Sequence, residues 1–377
     1  MNNDEKALAL HLKKKGKLAV ALKDTLDSKE KLGIYYTPGV GAVSSYIDKH
    51  PSEAKNYTWL NNNLAVISDG SAVLGLGDIG PLASLPVMEG KCMLFKNFAD
   101  IDAVPIILDV HSVDEIVATI KAIAPSFGAI NLEDIKAPGC FEIEKRLIDE
   151  LNIPVMHDDQ HGTAVVVLAG LINASKITGK PLSESKVVIS GAGAAGVAVA
   201  KLIYDYSKAN ITTVDSKGIL SSGREDLNPE KKYLASLNKI NHSGSTIQDA
   251  LKDADIFIGV SVAGLLKQKD IELMAKDPVI MAMANPVPEI MPDEAKLGGA
   301  SIIATGRSDF PNQINNVLAF PGIFRGALDH GIKKITEVHK IAAAEALAGL
   351  VKNPTPEEII PNIFNPDIVP AISAVIT

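Results

Sequence analysis

Cysteine is nearly absent from this chain: Cys92 and Cys140 are the only two in 377 residues. Two thiols cannot staple a chain of that length, so no disulfide framework is expected and a reducing compartment is. Long hydrophobic runs are missing as well. The most apolar stretch, near Ala164 to Ile172, falls short of the roughly 20 residues that cross a bilayer. The opening Met1-Asn2-Asn3-Asp4-Glu5-Lys6 lacks the basic-then-apolar pattern of a signal peptide. A cytoplasmic protein without a membrane partner is therefore expected. Positive charge is not in excess either: the formal net charge is −8, which argues against a nucleic-acid partner, since that needs a basic face. Anionic small molecules stay allowed, because one lysine, a metal ion or a helix N-terminus can bind them. Internal repeats and low-complexity linkers are also missing.

What is present is alternation. A length of 377 residues is too great for one ordinary core, so two domains are expected. Lys6 to Lys31 reads as a charged helix followed by a turn. Leu64 to Gly70 reads as a strand running into a turn, Val104 to Val110 as a buried strand, and Val113 to Ile123 as a helix. Ala129 to Asp134 is a short strand ending in acid, Phe141 to Glu150 a helix, and Ile153 to Asp159 the next strand with its C-terminal end. That order predicts an α/β first half. Gly162 to Thr178 reads as a long apolar helix, and the domain change is placed there, giving units 1–161 and 162–377. Ile335 to Leu350 reads as a last amphipathic helix. Ile359, Ile360, Ile363, Phe364, Ile368 and Val369 in the tail are expected to pack back on the body.

The pattern G-x-G-x-x-G occurs twice, and context separates the copies. Gly191, Gly193 and Gly196 follow the strand Lys186 to Ser190 and open a proline-free helix, Ala194 to Tyr206; Ile211 to Asp215 is then a second strand ending in an acid. This is the spacing of a dinucleotide site: Gly191 for the tight turn, Gly193 for approach of the pyrophosphate, Gly196 for close helix packing, and Ala194 and Ala195 with free N–H groups at the helix start. Asp215 is expected to accept from the adenosine ribose hydroxyls, which favours NAD, while Ser216 and Lys217 leave NADP open. The copy Gly75, Gly77 and Gly80 is followed by Pro81 and Pro86, read here as spoiling a helix. It is taken as a glycine loop where backbone approaches something small, or as a plain turn.

Two acid doublets sit at strand ends, Glu133-Asp134 and Asp158-Asp159. Each acid alone reads as a helix cap. Four converging carboxylates would repel unless a cation sat among them, and oxygen ligands suit Mg²⁺ or Mn²⁺. His157 and His161 flank the second doublet; zinc lacks a third nitrogen or sulfur ligand here, so supporting roles fit both better. Tyr36, before Thr37-Pro38-Gly39, reads as packing or as an acid. Lys91, taken as leading into an apolar strand at Cys92, reads as that strand's solvent end or, if its pKa were lowered, as a base. Asn285, before Pro286, and Asn316, after Asn315, read as turn formers or as amides for a carboxylate or a nicotinamide. Acid, base, metal ligands and a dinucleotide fingerprint together point to oxidation of a small hydroxy acid at a divalent metal.

Several motifs in order also match a family. Tyr36-Thr37-Pro38-Gly39-Val40, Leu74-Gly75-Leu76-Gly77-Asp78, Gly90-Lys91, Glu133-Asp134, Asp158-Asp159-Gln160-His161-Gly162-Thr163, Gly191 to Gly196, Asn285-Pro286 and Asn315-Asn316-Val317 resemble malic enzyme over nearly the whole chain, in the short bacterial form without an acetyltransferase-like domain. The resemblance implies an N-terminal α/β malic-enzyme domain, a C-terminal Rossmann-type NAD(P)-binding domain and a homodimer. It implies oxidative decarboxylation of L-malate to pyruvate and CO₂. Glu133, Asp134 and Asp159 resemble the metal ligands, Lys91 the base for the C2 hydroxyl, Tyr36 the acid that protonates C3, and Asp158 a partner of that pair. Asn285 and Asn316 resemble substrate or nicotinamide contacts. One departure stands out: larger members carry a carboxylate-gripping arginine where this chain has Ala72. Arg307 or the backbone N–H groups of the Gly75 loop are the replacements considered. Other readings of the same residues are oxaloacetate decarboxylation, malate-to-lactate conversion with tightly held NAD, and a catalytically silent nucleotide sensor.

Overall fold

The computed structural model describes residues 2–73, 75–240 and 242–377; Met1, at the start of the chain, and Leu74, in the first glycine motif, lie outside that description. Among the described residues ten strands form two sheets. The first is β1 (Asn63–Ser68), β2 (Asp102–Ile107), β3 (Ile130–Leu132) and β4 (Val155–His157), all parallel in the order β2-β1-β3-β4. The second is β5 (Lys186–Ser190), β6 (Asn210–Asp215), β7 (Gly218–Ile219), β8 (Ile256–Gly259), β9 (Val279–Ala282) and β10 (Ile302–Thr305), in the order β10-β9-β8-β5-β6-β7. Only the β6–β7 pair is antiparallel. The alternating α/β order expected from the sequence is present.

Side-chain alternation divides each strand between two cores. Leu64 and Val66 of β1, Val187 and Ile189 of β5, Ile256 and Ile258 of β8, and Val279 and Met281 of β9 all join one central cluster. Ala65 and Ile67 face a second cluster outside the first sheet. Val188, Phe257, Ile280 and Ala282 face a third, outside the second sheet. The helix Asp158–Thr178 runs through the central cluster, with thirteen of its 21 residues buried. Ile359, Ile360 and Ile368 of the tail are buried in that cluster too, with Ile363 and Val369 packed against it, whereas Phe364 is exposed.

Three elements differ from their sequence reading. Pro81 and Pro86 do not prevent a helix: Pro81–Ala99 is a 19-residue helix with Pro81 in its first turn, where the N–H that proline lacks has no intrahelical partner to lose. Lys91 is consequently in mid-helix, not at a strand end. The long helix starts at Asp158, not Gly162, because His157 ends β4 with no intervening loop. The buried strand expected at Val104 to Val110 is the half-buried edge strand β2.

Residues 2–62 contain no buried residue. The helices Asn3–Lys14 and Lys29–Tyr35 are capped by Asn2 and Ser28, yet this segment, which also holds the helix Val40–Lys49, leaves Leu12, Val20, Leu22, Ile34, Tyr35 and Tyr36 in solvent.

Candidate active site

Parallel sheets aim their carboxyl ends in one direction, and in open α/β folds ligands gather there. The first sheet places Glu133 and Asp134 directly after β3, and Asp158 and Asp159 directly after β4. Because Asp158 and Asp159 occupy the first turn of a 21-residue helix, their charge is favoured by the helix dipole. The helix Pro81–Ala99 brings Lys91 to the same spot. Its Nζ lies 2.8 Å from Glu133 Oε1 and 2.5 Å from Asp158 Oδ2. Phe320 closes the other side, its ring centroid 4.1 Å from the ammonium.

Lys91 is 8% exposed. Burial by itself would depress its pKa, but the carboxylates of Asp158 and Glu133 outweigh that and hold it above the usual lysine range. As it stands Lys91 is a cation, not a base. The carboxylates feel the converse: burial pushes Glu133, Asp158 and Asp159 upward, and the lysine pulls them down only in part. Asn316 donates to Asp158 Oδ2 from 2.5 Å, and Asn131 donates to Glu133 Oε2 from 2.8 Å. Gly162 is needed for room: a Cβ there would sit 1.9 Å from Asp158 Oδ1 and 3.0 Å from the Asn316 Cβ.

Glu133, Asp134 and Asp159 each offer a carboxylate oxygen, and these oxygens lie within 4.8 Å of one another. Asp134 has φ 54° and donates its N–H to Asp159 Oδ2 from 2.8 Å, which folds the turn after β3 back onto the start of the helix. Two buried carboxylates, Glu133 and Asp158, share one ammonium, Asp159 lies beside them, and Asp158 Oδ1 has no hydrogen-bond partner among the described residues. That surplus of hard, negative oxygen fits a divalent cation. His157 is buried with neither ring nitrogen hydrogen-bonded, its Nε2 3.8 Å from Asp159 Oδ2; burial lowers its pKa to about 4. His161 pairs with Glu144 instead, at 3.0 Å.

The second sheet answers from the other side. Its order reverses direction at β5, which pairs with β6 on one edge and β8 on the other, so the glycine turn after β5 opens at the switch point. A Cβ on Gly191 would lie 2.5 Å from Val260 O, and one on Gly196 2.0 Å from Gly191 O, while Gly193 faces nothing within 4 Å. The helix Ala194–Ser207 begins without a side-chain cap, leaving its first N–H groups for an anion. These residues fit a dinucleotide. A pocket of about 570 Å³ beside them is lined by Gly191, Asp215, Lys217, Lys231 and Ser261.

Asp215 is not the open acceptor the sequence implied. Arg224 reaches its two oxygens from 2.8 and 3.0 Å, Lys231 from 2.7 Å and the Lys217 N–H from 2.9 Å. Four donors use up what a carboxylate can accept. A second cleft, of about 380 Å³, joins the two sheets and is lined by Gly75, Asp159, Ala195, Ser261, Asn285 and Asn316 among others.

Several sequence candidates therefore converge: Lys91, Glu133, Asp158 and Asn316 in one contact network, Asp134 and Asp159 beside it, and Asn285 across the cleft. Tyr36 does not. It is 66% exposed in the N-terminal segment, whereas Lys91, Glu133 and Asp158 are buried together. Arg307 is engaged elsewhere, with Asp309 at 2.7 Å and Pro286 O at 3.1 Å; the Gly75 loop does reach the cleft. Sequence reasoning missed Glu144, which accepts from the His157 N–H at 2.7 Å, from Gln160 at 3.2 Å and from His161. Its signal was an acid inside the apolar stripe Cys140, Ile143, Leu147 of the helix Gly139–Glu150.

The family model for the malic enzyme NAD-binding domain matches residues 160–375, and that for the malic enzyme N-terminal domain matches residues 15–113 and 110–148. The chain belongs to the malic enzyme family. Among its relatives is the bifunctional malic/malolactic enzyme of Bacillus subtilis, 51% identical over 376 residues, a match covering 99% of this chain and 92% of the relative. The NADP-dependent malic enzyme of Halomonas elongata is 48% identical over 348 residues, covering 92% of this chain and 82% of the relative. The solved NAD-dependent malic enzyme of Thermotoga maritima superimposes with a TM-score of 0.95 at 48% identity, covering 98% of each chain.

Proposed function

We propose that this malic enzyme family member oxidatively decarboxylates L-malate to pyruvate and CO₂, with NAD or NADP as oxidant and Mg²⁺ or Mn²⁺ as the metal. The observation that carries this reading is one buried lysine held between Glu133 and Asp158, beside three clustered carboxylates, at a cleft shared with a dinucleotide sheet. Glu133, Asp134 and Asp159 would hold the ion. The nicotinamide supplies the hydride acceptor, and the ion supplies polarisation of the C2 oxygen and an electron sink for loss of the C4 carboxylate.

The chain's own residues do the rest. Lys91 takes the C2 hydroxyl proton. A cation held by Glu133, Asp134 and Asp159 would offset part of the carboxylate charge that keeps Lys91 protonated here. Asp158 and Asn316 hold Nζ in place. Asn285 and Asn316 face substrate or the nicotinamide amide, and backbone N–H groups of the Gly75 loop take the malate carboxylate in place of the arginine absent at Ala72. Gly191, Gly193, Ala194, Ala195 and Gly196 seat the pyrophosphate. Asp215 acts through Arg224 and Lys231, and cationic groups at that ribose position leave room for NADP beside NAD.

Tyr36 protonates C3 of the enolpyruvate. Its phenol lies on a segment of residues 2–62 that buries nothing, so the proposed homodimer has two tasks: to cover that apolar surface and to bring a Tyr36 to each Lys91. Units 1–161 and 162–377 are the proposed domains and the cytoplasm the proposed location; among the described residues no helix is long and apolar enough to cross a membrane.

The deciding experiment mixes enzyme, L-malate, Mn²⁺ and either NAD or NADP, and follows pyruvate together with nicotinamide absorbance. One pyruvate per reduced cofactor is expected; no reduced cofactor would sink the reading. A second reading is malate-to-lactate conversion, favoured by the likeness to the bifunctional malic/malolactic enzyme of Bacillus subtilis. Lactate formed without net reduced cofactor in the same mixture would select it.

A further inference from the structure

Glu289 is fully buried, four residues beyond Asn285. Its two carboxylate oxygens go to different loops. Oε1 accepts from the Ser261 N–H at 2.8 Å and the Ser261 hydroxyl at 3.4 Å, on the chain leaving β8. Oε2 accepts from the Ala284 N–H at 2.9 Å, on the chain leaving β9. The site is built to receive it: a Cβ on Gly259 would lie 2.3 Å from the Glu289 carboxyl carbon, so only glycine leaves the carboxyl its place. The Glu289 and Pro288 carbonyls accept from the Leu266 and Gly264 N–H groups at 2.9 and 3.0 Å, which fixes the residue's own backbone. Burial pushes its pKa up while the two N–H groups pull it down, and no lysine, arginine or histidine pairs with it among the described residues.

An isolated buried carboxylate is costly unless its hydrogen bonds are needed. Here an amide could not replace it, because one of the two facing N–H groups would meet an NH₂ instead of an oxygen. The loops it joins are those that line the clefts. Ser261 borders both the 570 Å³ pocket and the 380 Å³ cleft, so it stands where a dinucleotide passes from one to the other. Ala284 and Asn285 form the facing wall of the smaller cleft.

We propose that Glu289 is a positioning residue for the nicotinamide half of the cofactor, its carboxylate tying the chain after β8 to the chain after β9 and so setting the separation of Ser261 and Asn285. This rests on the malic enzyme reading for the cofactor but not for the substrate. The test is Glu289→Gln in the full chain, with dissociation constants for NADH, by nicotinamide fluorescence, and for ADP-ribose, which lacks the nicotinamide, by calorimetry. NADH should weaken by about tenfold, the cost of one buried N–H left without an acceptor, while ADP-ribose stays within about twofold of wild type on the same reasoning. Unchanged NADH affinity, or equal loss for both probes, overturns the proposal. If Glu289→Gln does not fold, Glu289→Asp, which keeps the charge but is too short to span both loops, must show the same split. Wild-type enzyme that binds NADH but makes no pyruvate would count against the malate reading alone, and leaves the Glu289 comparison intact.

Discussion

Behind β3 and β4 the chain gathers four acids around one lysine; behind β5, β8 and β9 it gathers glycine, serine, alanine and asparagine, with its one carboxylate, Glu289, turned inward. Both sets occupy the carboxyl ends of parallel strands, and both line one cleft. The first set holds charge: its side chains are large, buried and mutually opposed. The second holds space: Gly191 and Gly196 are there because any side chain would strike backbone. Even the two G-x-G-x-x-G copies divide this way. Gly75, Gly77 and Gly80 all have φ near +75° with no clash awaiting a Cβ, so there glycine serves the turn rather than the fit. A site for bond breaking is made by what is put in, a site for cofactor binding by what is left out. Each should therefore fail separately.

Lys91→Ala gives the largest effect. Turnover should fall by roughly 10³-fold, the scale of a lost proton-transfer group, with NADH affinity unchanged in a fluorescence titration; parallel loss of both would merge the two regions into one. Gly196→Ala is the converse. With Gly191 O in the way, the KM for cofactor should rise by about tenfold or more, as overpacking of this size costs kilocalories, while Mn²⁺ affinity measured by electron paramagnetic resonance stays put. Mixing Tyr36→Phe with Lys91→Ala protein, each inactive alone, sharpens the picture of the first region: if each site draws Tyr36 from a second copy, one site per mixed dimer is intact, and about a quarter of wild-type activity should return on random pairing. No recovery would place both residues of a site on one chain.

The smallest effect concerns Glu144, which braces the β4 end. Burial opposes its charge, but His161 and its neighbours hold its pKa at about 2, below its ordinary 4.5. A depressed carboxyl stabilises the fold fully above about pH 5 and loses that contribution as the pH falls through 2, a swing of about 3 kcal/mol. Glu144→Gln should therefore flatten the dependence of the urea midpoint on pH between 4.5 and 2, and an unchanged slope would remove Glu144 from the account.

The division also explains what could be read from the sequence. The strands that carry the acids, the helix after the second glycine motif and the acid doublets were all legible, because strand alternation and a run of special residues are local signals. Pro81 was misread because a proline's effect depends on which turn of the helix it occupies. The full occupancy of Asp215 was invisible: Arg224 and Lys231 lie nine and sixteen residues away, and nothing local says that they fold back onto it. Glu289 hid in a run of prolines, where a loop reads as exposed. Tyr36 was legible as a motif and illegible as a position, since nothing in the residues around it tells that its phenol lies exposed and away from Lys91.

The helix Asp158–Thr178 carries a last consequence. It begins with a metal-binding candidate, Asp159, and ends beside the dinucleotide sheet, with Asn173 donating to Ala348 O and Ile359 O at 3.0 Å each. A gene severed at codon 161 would leave the acids on one polypeptide and the rod that holds them on the other. For recombination between relatives, the profitable joints are therefore the turn at residues 151–154 before β4 and the turn at Gly179 after the helix, and inheritance should pass β4 and the helix on as one piece.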